Sequence, residues 1–167
     1  MSQNQVLSVE PPRFENLGPL VIVGFEELFT AETREQIAAL WQRLAAVFGK
    51  IPGQIDRTAY GVINNSDDAR GFRYLAGVEI PAEAPVPEGY QVVHLEAGHY
   101  AVFAHRQHVS KLITTMCAIY RDWLPLSKIA PADAPCFERY GADFDPATGL
   151  GTIEIWLPVD IDENESR

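Results

Sequence analysis

The chain has 167 residues, 47% of them hydrophobic and 22% charged, which is long and apolar enough to bury the core of one globular domain. Its 13 basic residues lie scattered among 23 acidic ones, for a formal net charge of −10. Direct nucleic-acid binding is therefore not expected, because no cluster of Lys and Arg exists to displace phosphate counterions. No apolar run reaches the length of a bilayer span, so no membrane partner is expected either.

The opening residues Met1-Ser2-Gln3-Asn4-Gln5 have neither the basic nor the apolar character of an export signal, so a cytoplasmic location is expected. Val21-Ile22-Val23 reads as a first strand. Ile37, Leu40, Trp41, Leu44, Val47 and Phe48 then recur at offsets of three and four, the stripe of an amphipathic helix. Thr30, with Thr33 as second candidate, is placed to cap its start, and Gly49 followed by Pro52 ends it. Tyr60-Gly61-Val62-Ile63 is a strand. Phe72, Tyr74, Ala76, Val78 and Ile80 alternate with Arg73, Leu75, Gly77 and Glu79, so each set occupies one face of a sheet.

After the Pro-rich joint 81–89 the order starts again. Tyr100-Ala101-Val102-Phe103 is a strand, and Leu112, Ile113, Met116, Ile119, Tyr120 and Trp123 form a second helical stripe, with Ser110 placed to cap it and Pro125 to end it. Phe137-Glu138-Arg139-Tyr140 is a strand, and Ile153, Ile155 and Leu157 alternate with Glu154 and Trp156 in the last one. The acidic stretch 160–167 reads as a solvated tail.

The order β-α-β-β thus occurs twice, and Tyr60-Gly61 is echoed by Tyr140-Gly141. The predicted fold class is α+β: one domain over 1–167 built as a tandem β-α-β-β repeat with antiparallel sheets. Half 1 covers about 11–80 and half 2 about 90–159, with both helices on one side and a ligand pocket between the halves. Each helix has a single apolar stripe and covers a single sheet face, which leaves the opposite face to be explained. The residues assigned to that opposite face are Tyr60, Leu75, Glu79, Glu138, Tyr140, Glu154 and Trp156. Aromatic rings around carboxylates suit a lipophilic cation, so these seven are the candidate ligand-binding residues. Tyr74, Trp41 and Trp123 fall on core-facing registers and read as core.

Other chemistry finds little footing. His94, His99, His105 and His108 lack the spacing of a metal site, and Asp143-x-Asp145 with Gly149 reads as a hairpin turn rather than a calcium loop. No metal and no cofactor are expected. Cys117 and Cys136 are too few for a disulfide framework and read as buried, inert thiols. There is no phosphate-cradling glycine loop and no Gly-x-Ser-x-Gly nucleophile motif.

The sequence resembles the GyrI-like domain, a small-molecule-binding module found alone or as the effector-binding part of bacterial multidrug-responsive transcription activators. The resemblance is carried by Tyr60-Gly61-Val62, Phe72-Arg73-Tyr74-Leu75-Ala76-Gly77-Val78-Glu79, Ala97-Gly98-His99-Tyr100-Ala101-Val102-Phe103-Ala104-His105, Ile119-Tyr120-Arg121-Asp122-Trp123-Leu124-Pro125, Phe137-Glu138-Arg139-Tyr140 and Ile153-Glu154-Ile155-Trp156-Leu157-Pro158. It departs at Gln107, where the family usually has glycine. The resemblance implies an aromatic pocket at the junction of the halves with a buried glutamate opposing cationic ligands, and by position Glu138 and Glu154 are the candidates. Relatives often carry an N-terminal DNA-binding segment. About ten residues precede the first strand here, so no contact with DNA is expected of this chain.

The leading expectation is a protein that binds an apolar, cationic organic molecule to sense or sequester it. Two alternatives stand beside it. One is a hydrolase of reactive electrophiles using Glu138 or Glu154 as general base, with no other catalytic residue assigned. The other is a gyrase-inhibitor-like interaction module. Nothing in the sequence fixes an oligomeric state.

Overall fold

The computed structural model describes residues 9–30, 32–67 and 71–160. The acidic stretch from residue 161 onward and the first eight residues, on which the export-signal reading rests, lie outside them. Among the described residues, nine strands form one antiparallel sheet: β1 (Arg13–Leu17), β2 (Leu20–Phe29), β3 (Ala59–Asp67), β4 (Gly71–Ile80), β5 (Gln91–Leu95), β6 (Gly98–His105), β7 (Ala130–Pro131), β8 (Cys136–Tyr140) and β9 (Ile153–Asp160). Helix α1 (Ile37–Val47) follows β2. A second helical segment after β6 consists of α2 (Leu112–Ala118), a π-helical stretch over Ile119–Trp123, and α3 (Leu124–Ser127).

The two β-α-β-β units are β2-α1-β3-β4 and β6-α2/α3-β8-β9. In the strand order β1-β6-β9-β8-β3-β4-β2-β5 they abut at the β3–β8 pair, with the two-residue β7 lying against β9. The strand that precedes each unit pairs with the other one: β1 adds to β6, and β5 adds to β2. This exchange dictates the sheet's shape. Leu17 ends β1 beside Gly98, whereas Leu20 opens β2 beside Leu95, at the diagonally opposite corner. Only Gly18 and Pro19 join the two corners, and three chain steps reach no more than about 11 Å. Glu96 and Ala97 make the same short connection from β5 to β6. The sheet must therefore coil over its own inner face. Gly24 and Gly77 pair on that face, where a Cβ on Gly77 would stand 2.7 Å from Leu75 Cδ2 and press on the Val23 carbonyl.

The coiling gives two cores. On the helix side, Leu40 and Leu44 of α1 and Ile119 and Trp123 of the second segment pack on Tyr74, Ala76, Val78, Phe103, Ile153 and Ile155. On the inner face, Ile22, Tyr60, Val62, Leu75, Val93, Leu95, Tyr100, Val102, Phe137 and Trp156 pack on each other. Phe137 is the hub, stacked on Trp156 at 5.4 Å and met by Tyr100 at 5.5 Å and Tyr60 at 5.8 Å. The face left over by the helices is thus filled by the sheet itself, at about 1.5–3 kcal/mol for each large side chain removed from water.

Several local expectations change. Pro125 does not end the helix: it lies in the first turn of α3. The Leu124 amide bonds back to the Ile119 carbonyl, five residues away, and this wider turn relieves the clash a proline ring imposes on an α-helical neighbour. The turn opening the second segment is capped by His108, whose Nδ1 accepts from the Ser110 amide at 3.0 Å, instead of by Ser110. Thr33 Oγ1 accepts from the Thr30 amide at 2.8 Å and organises the approach to α1 without capping it. Cys117 is exposed, because its helix position faces away from the sheet. Tyr60 and Tyr140 lie on opposite faces, since Ala59 pairs with Tyr140 and Tyr60 with Arg139. The Tyr-Gly echo is therefore not a structural equivalence. The Asp143–Asp145 segment is a turn: Asp145 Oδ1 accepts from the Ala147 amide and Asp143 Oδ2 from the Thr152 hydroxyl.

Candidate functional site

The seven candidate residues divide between the two faces. Glu138 and Tyr140 face the helices. Tyr60, Leu75, Glu79, Glu154 and Trp156 face inward, because each is the cross-strand or i±2 neighbour of an inner-core residue. Tyr60, Leu75 and Trp156 are buried in the inner core. The single cation-facing surface expected to hold all seven does not exist: side chains alternate along β8, so Glu138 cannot share a face with Phe137 and Arg139, whose cross-strand partners are Trp156 and Glu154.

Glu154 is compensated where it stands. It accepts from its neighbour's Trp156 Nε1 at 3.0 Å and pairs with Arg13 at 3.0 Å and Arg139 at 3.7 Å. Arg13 also lies over the Trp156 ring, 5.8 Å from its centre. Glu79 sits nearby at the rim. Its carboxyl is held above the usual range by burial and by Asp56, with Arg139 pulling the other way.

Glu138 has no such company. It sits in the middle of the sheet between Gly61 on β3 and Ile155 on β9, and it is 6% exposed. The Tyr74 hydroxyl donates to its Oε1 at 2.6 Å and the Tyr140 hydroxyl donates to the same oxygen at 2.9 Å. Among the described residues nothing donates to Oε2, and no Lys, Arg or His forms an ion pair with this carboxyl. Burial pushes the Glu138 carboxyl above the usual range, and the two phenols draw it partly back. Both phenols are in turn held well above their ordinary value, by burial and by the carboxylate beside them.

Three features of the sequence build this arrangement. Tyr74 stands on β4 and must cross β3 to reach Glu138 on β8. It can do so because Gly61 has no side chain: a Cβ there would lie 2.7 Å from Tyr74 Cζ and 2.8 Å from Glu138 Oε1. Trp41 of α1 roofs the pair, donating Nε1–H to the Tyr74 hydroxyl at 3.1 Å and setting its ring edge-on to Tyr140 at 4.9 Å. Phe144 also meets Tyr140 edge-on, at 5.0 Å. The sequence pattern marks Tyr74 and Trp41 as core, whereas their polar ends reach Glu138 and each other. The legible signal was that each carries a donor at a buried position, where it needs a partner.

Beside this box a groove of about 820 Å³ opens between the second helical segment and the sheet, lined by Ile63, Met116, Tyr120, Cys136, Leu157 and Pro131 among others. That volume is of the size that holds drug-like molecules, about 300–1,000 Å³. Cys136 lies two positions from Glu138 on the same face of β8. Its thiol is pushed up to about 11, mainly by burial. Among the described residues no group of three or more His, Cys, Asp or Glu side chains is arranged to hold a metal ion.

A coiled antiparallel sheet carries two helical segments on one side, and a buried carboxyl lies among aromatic rings beneath them. The chain belongs to the GyrI-like family: the model of the GyrI-like small-molecule-binding domain matches residues 10–160. It is 29% identical over 153 residues to the transcriptional regulator BrlR of Pseudomonas aeruginosa, covering 90% of this chain and 54% of BrlR, so it spans about half the length of that relative. It is 29% identical over 153 residues to the DNA gyrase inhibitor of Edwardsiella piscicida, covering 92% and 88% of the two chains. Among solved structures it is similar to SAV2435 bound to tetraphenylphosphonium, with a TM-score of 0.73, 22% identity, and 90% and 94% of the two chains covered. No helix among the described residues is long and apolar enough to cross a membrane.

Proposed function

We propose that the helix-side site centred on Glu138 binds hydrophobic organic cations, so that the protein senses or sequesters them. The observation that carries this reading is a buried carboxyl whose two hydrogen bonds both come from phenols and fall on one oxygen. Withdrawing a carboxyl from water costs several kcal/mol, and here the fold bears that cost without supplying a cation. A ligand cation about 4 Å away gains roughly 4 kcal/mol at an effective dielectric near 20. Trp41, Tyr74 and Tyr140 present π-systems that favour a cation over a neutral molecule of the same shape. Cys136, two positions from Glu138 on the same face of β8, lines the neighbouring groove, which places space for an apolar ligand close to the carboxyl. The likeness to a protein bound to tetraphenylphosphonium, a lipophilic cation, supports the same reading.

Tetraphenylphosphonium and tetraphenylborate match in shape and differ in sign, and quenching of tryptophan fluorescence reports binding of either. The cation is expected to bind and the anion to bind far more weakly. Glu138→Gln keeps the shape and removes the charge, and it is expected to cost the cation about 1–3 kcal/mol, roughly 5–150-fold. Equal affinity for the two ions in the unaltered protein would refute the reading.

A further inference from the structure

We propose that Glu138 carries a proton in the empty site and that a permanently charged cation binds by exchange: the carboxyl's O–H bond breaks, the proton leaves to solvent, and the ligand's charge takes its place beside the carboxylate. The inference rests on the cation-binding reading and adds what the protein must release in order to bind.

Geometry carries it. Tyr74 and Tyr140 both donate to Oε1, an arrangement a neutral carboxylic acid accepts at its carbonyl oxygen, leaving Oε2 for the proton. Among the described residues no donor reaches Oε2, so an ionised Glu138 would leave half of its charge unpartnered in a site closed to water. The surroundings offer no counter-charge from any side. From β4 comes Tyr74, from β8 itself Tyr140 and Cys136, and from the second helical segment Tyr120, whose phenol lies near the Cys136 thiol. From α1 comes Trp41, which is uncharged, while β3 and β9 present Gly61 and Ile155. Every titratable group in this set is an acid that is neutral until it loses a proton, so none can stabilise a carboxylate by charge. The direction of the carboxyl's shift, upward through burial, agrees. Glu154 shows the alternative, a carboxyl paired with two arginines.

The consequence can be counted. At a pH below the folded-state value of Glu138, binding one tetraphenylphosphonium ion releases one proton, and affinity rises about tenfold per pH unit until Glu138 is ionised in the free protein. Calorimetric titration of the intact protein with tetraphenylphosphonium chloride in phosphate and in Tris, whose ionisation heats differ, gives the proton count at each pH. The infrared spectrum of the free protein minus that of Glu138→Gln gives the protonation state without any ligand. Expected are one proton released per ion bound wherever the free protein shows the protonated-carboxyl band, a release that ceases at the pH where that band disappears, and no proton release from Glu138→Gln. Binding with no proton release and an affinity independent of pH, together with a missing carboxyl band, would overturn the exchange while leaving the cation-binding reading intact. Absence of tetraphenylphosphonium binding at every pH would overturn that reading and the exchange with it.

Discussion

Glu138 and Glu154 stand on neighbouring strands of one sheet, both largely withdrawn from water, and the protein satisfies them in opposite ways. Glu154, on the inner face, receives an indole N–H and two guanidinium groups. Glu138, on the helix face, receives two phenols and no cation. The first carboxylate is compensated and holds β1, β8 and β9 together. The second is stabilised in position but not in charge, and that deficit is what a cationic ligand can fill. A buried acid is a sign of binding only where the fold withholds its partner.

The sharpest way to separate the two faces is to damage the one without the deficit. Phe137 adjoins Glu138 in sequence but points the other way, into the hub of inner-face rings. Phe137→Ala is expected to destabilise the fold by about 3–5 kcal/mol, the cost of emptying an aromatic site in a packed core, as read from urea unfolding. The preference for tetraphenylphosphonium over tetraphenylborate should persist in whatever fraction remains folded. Loss of that preference with little loss of stability would place the ligand on the inner face.

Gly61→Ala tests the helix face by geometry alone. The new methyl would press on the Tyr74 ring and Glu138 Oε1 at once, so overpacking of about 1–3 kcal/mol is expected. The Tyr74–Glu138 bond must open, and cation affinity should fall with no charge removed. Unchanged affinity measured by fluorescence titration would show that the ligand does not use this carboxyl.

Why the sequence separated these faces only in part follows from particular residues. The period-two patterns of Phe72–Ile80 and Ile153–Leu157 told which side chains meet the helices, and the repeated element order told that two β-α-β-β units exist. Within Phe137–Tyr140 the apolar and polar residues do not alternate: Phe137 and Tyr140 are both buried on opposite faces. Hydrophobicity therefore does not set this strand's register, and the pattern alone puts Glu138 on the side of Trp156. The coiling that fills the inner face arises from β1 and β5 crossing to the opposite unit, a long-range exchange that leaves no local periodicity. Its only local trace is the pair of two-residue connections at 18–19 and 96–97. Trp41 and Tyr74 were hidden for another reason: a core position and a site position look alike until a partner for the indole or phenol is found.

Stability against pH sharpens the comparison from the Glu138 side. Its pKa is higher in the folded than in the unfolded chain, so the folded state holds more protons between the two values, and stability falls as pH rises through that window. Glu138→Gln has no charge to desolvate. It should be more stable than the unaltered protein, by about 1–2 kcal/mol on the scale of an incompletely partnered buried polar group, with the gap widening as pH rises above the ordinary carboxyl range. Thermal melts of both proteins across that rise in pH check it, and a gap that narrows with pH would contradict the burial argument. A gain in stability alongside a loss of binding is the expected pattern for a group kept for a ligand.

The smallest effect is expected at Glu154. Changing it to Gln keeps an amide oxygen that can still accept from Trp156 Nε1 and removes only the charge facing Arg13 and Arg139. Both arginines remain about half exposed, with side-chain exposures of 47% and 41%, so water can solvate them when the partner is neutral. The loss should be about 1 kcal/mol or less, and it should shrink as salt screens the pair in the unaltered protein. Urea unfolding at low and high salt measures both quantities. Affinity for tetraphenylphosphonium should stay within about twofold of the unaltered protein, since one charge on the far side of the sheet changes only a long-range, screened attraction. If Glu154→Gln lowered cation affinity as far as Glu138→Gln does, the two carboxylates would be equivalent to the ligand. The distinction between a compensated acid and an uncompensated one would then have no bearing on where the cation binds.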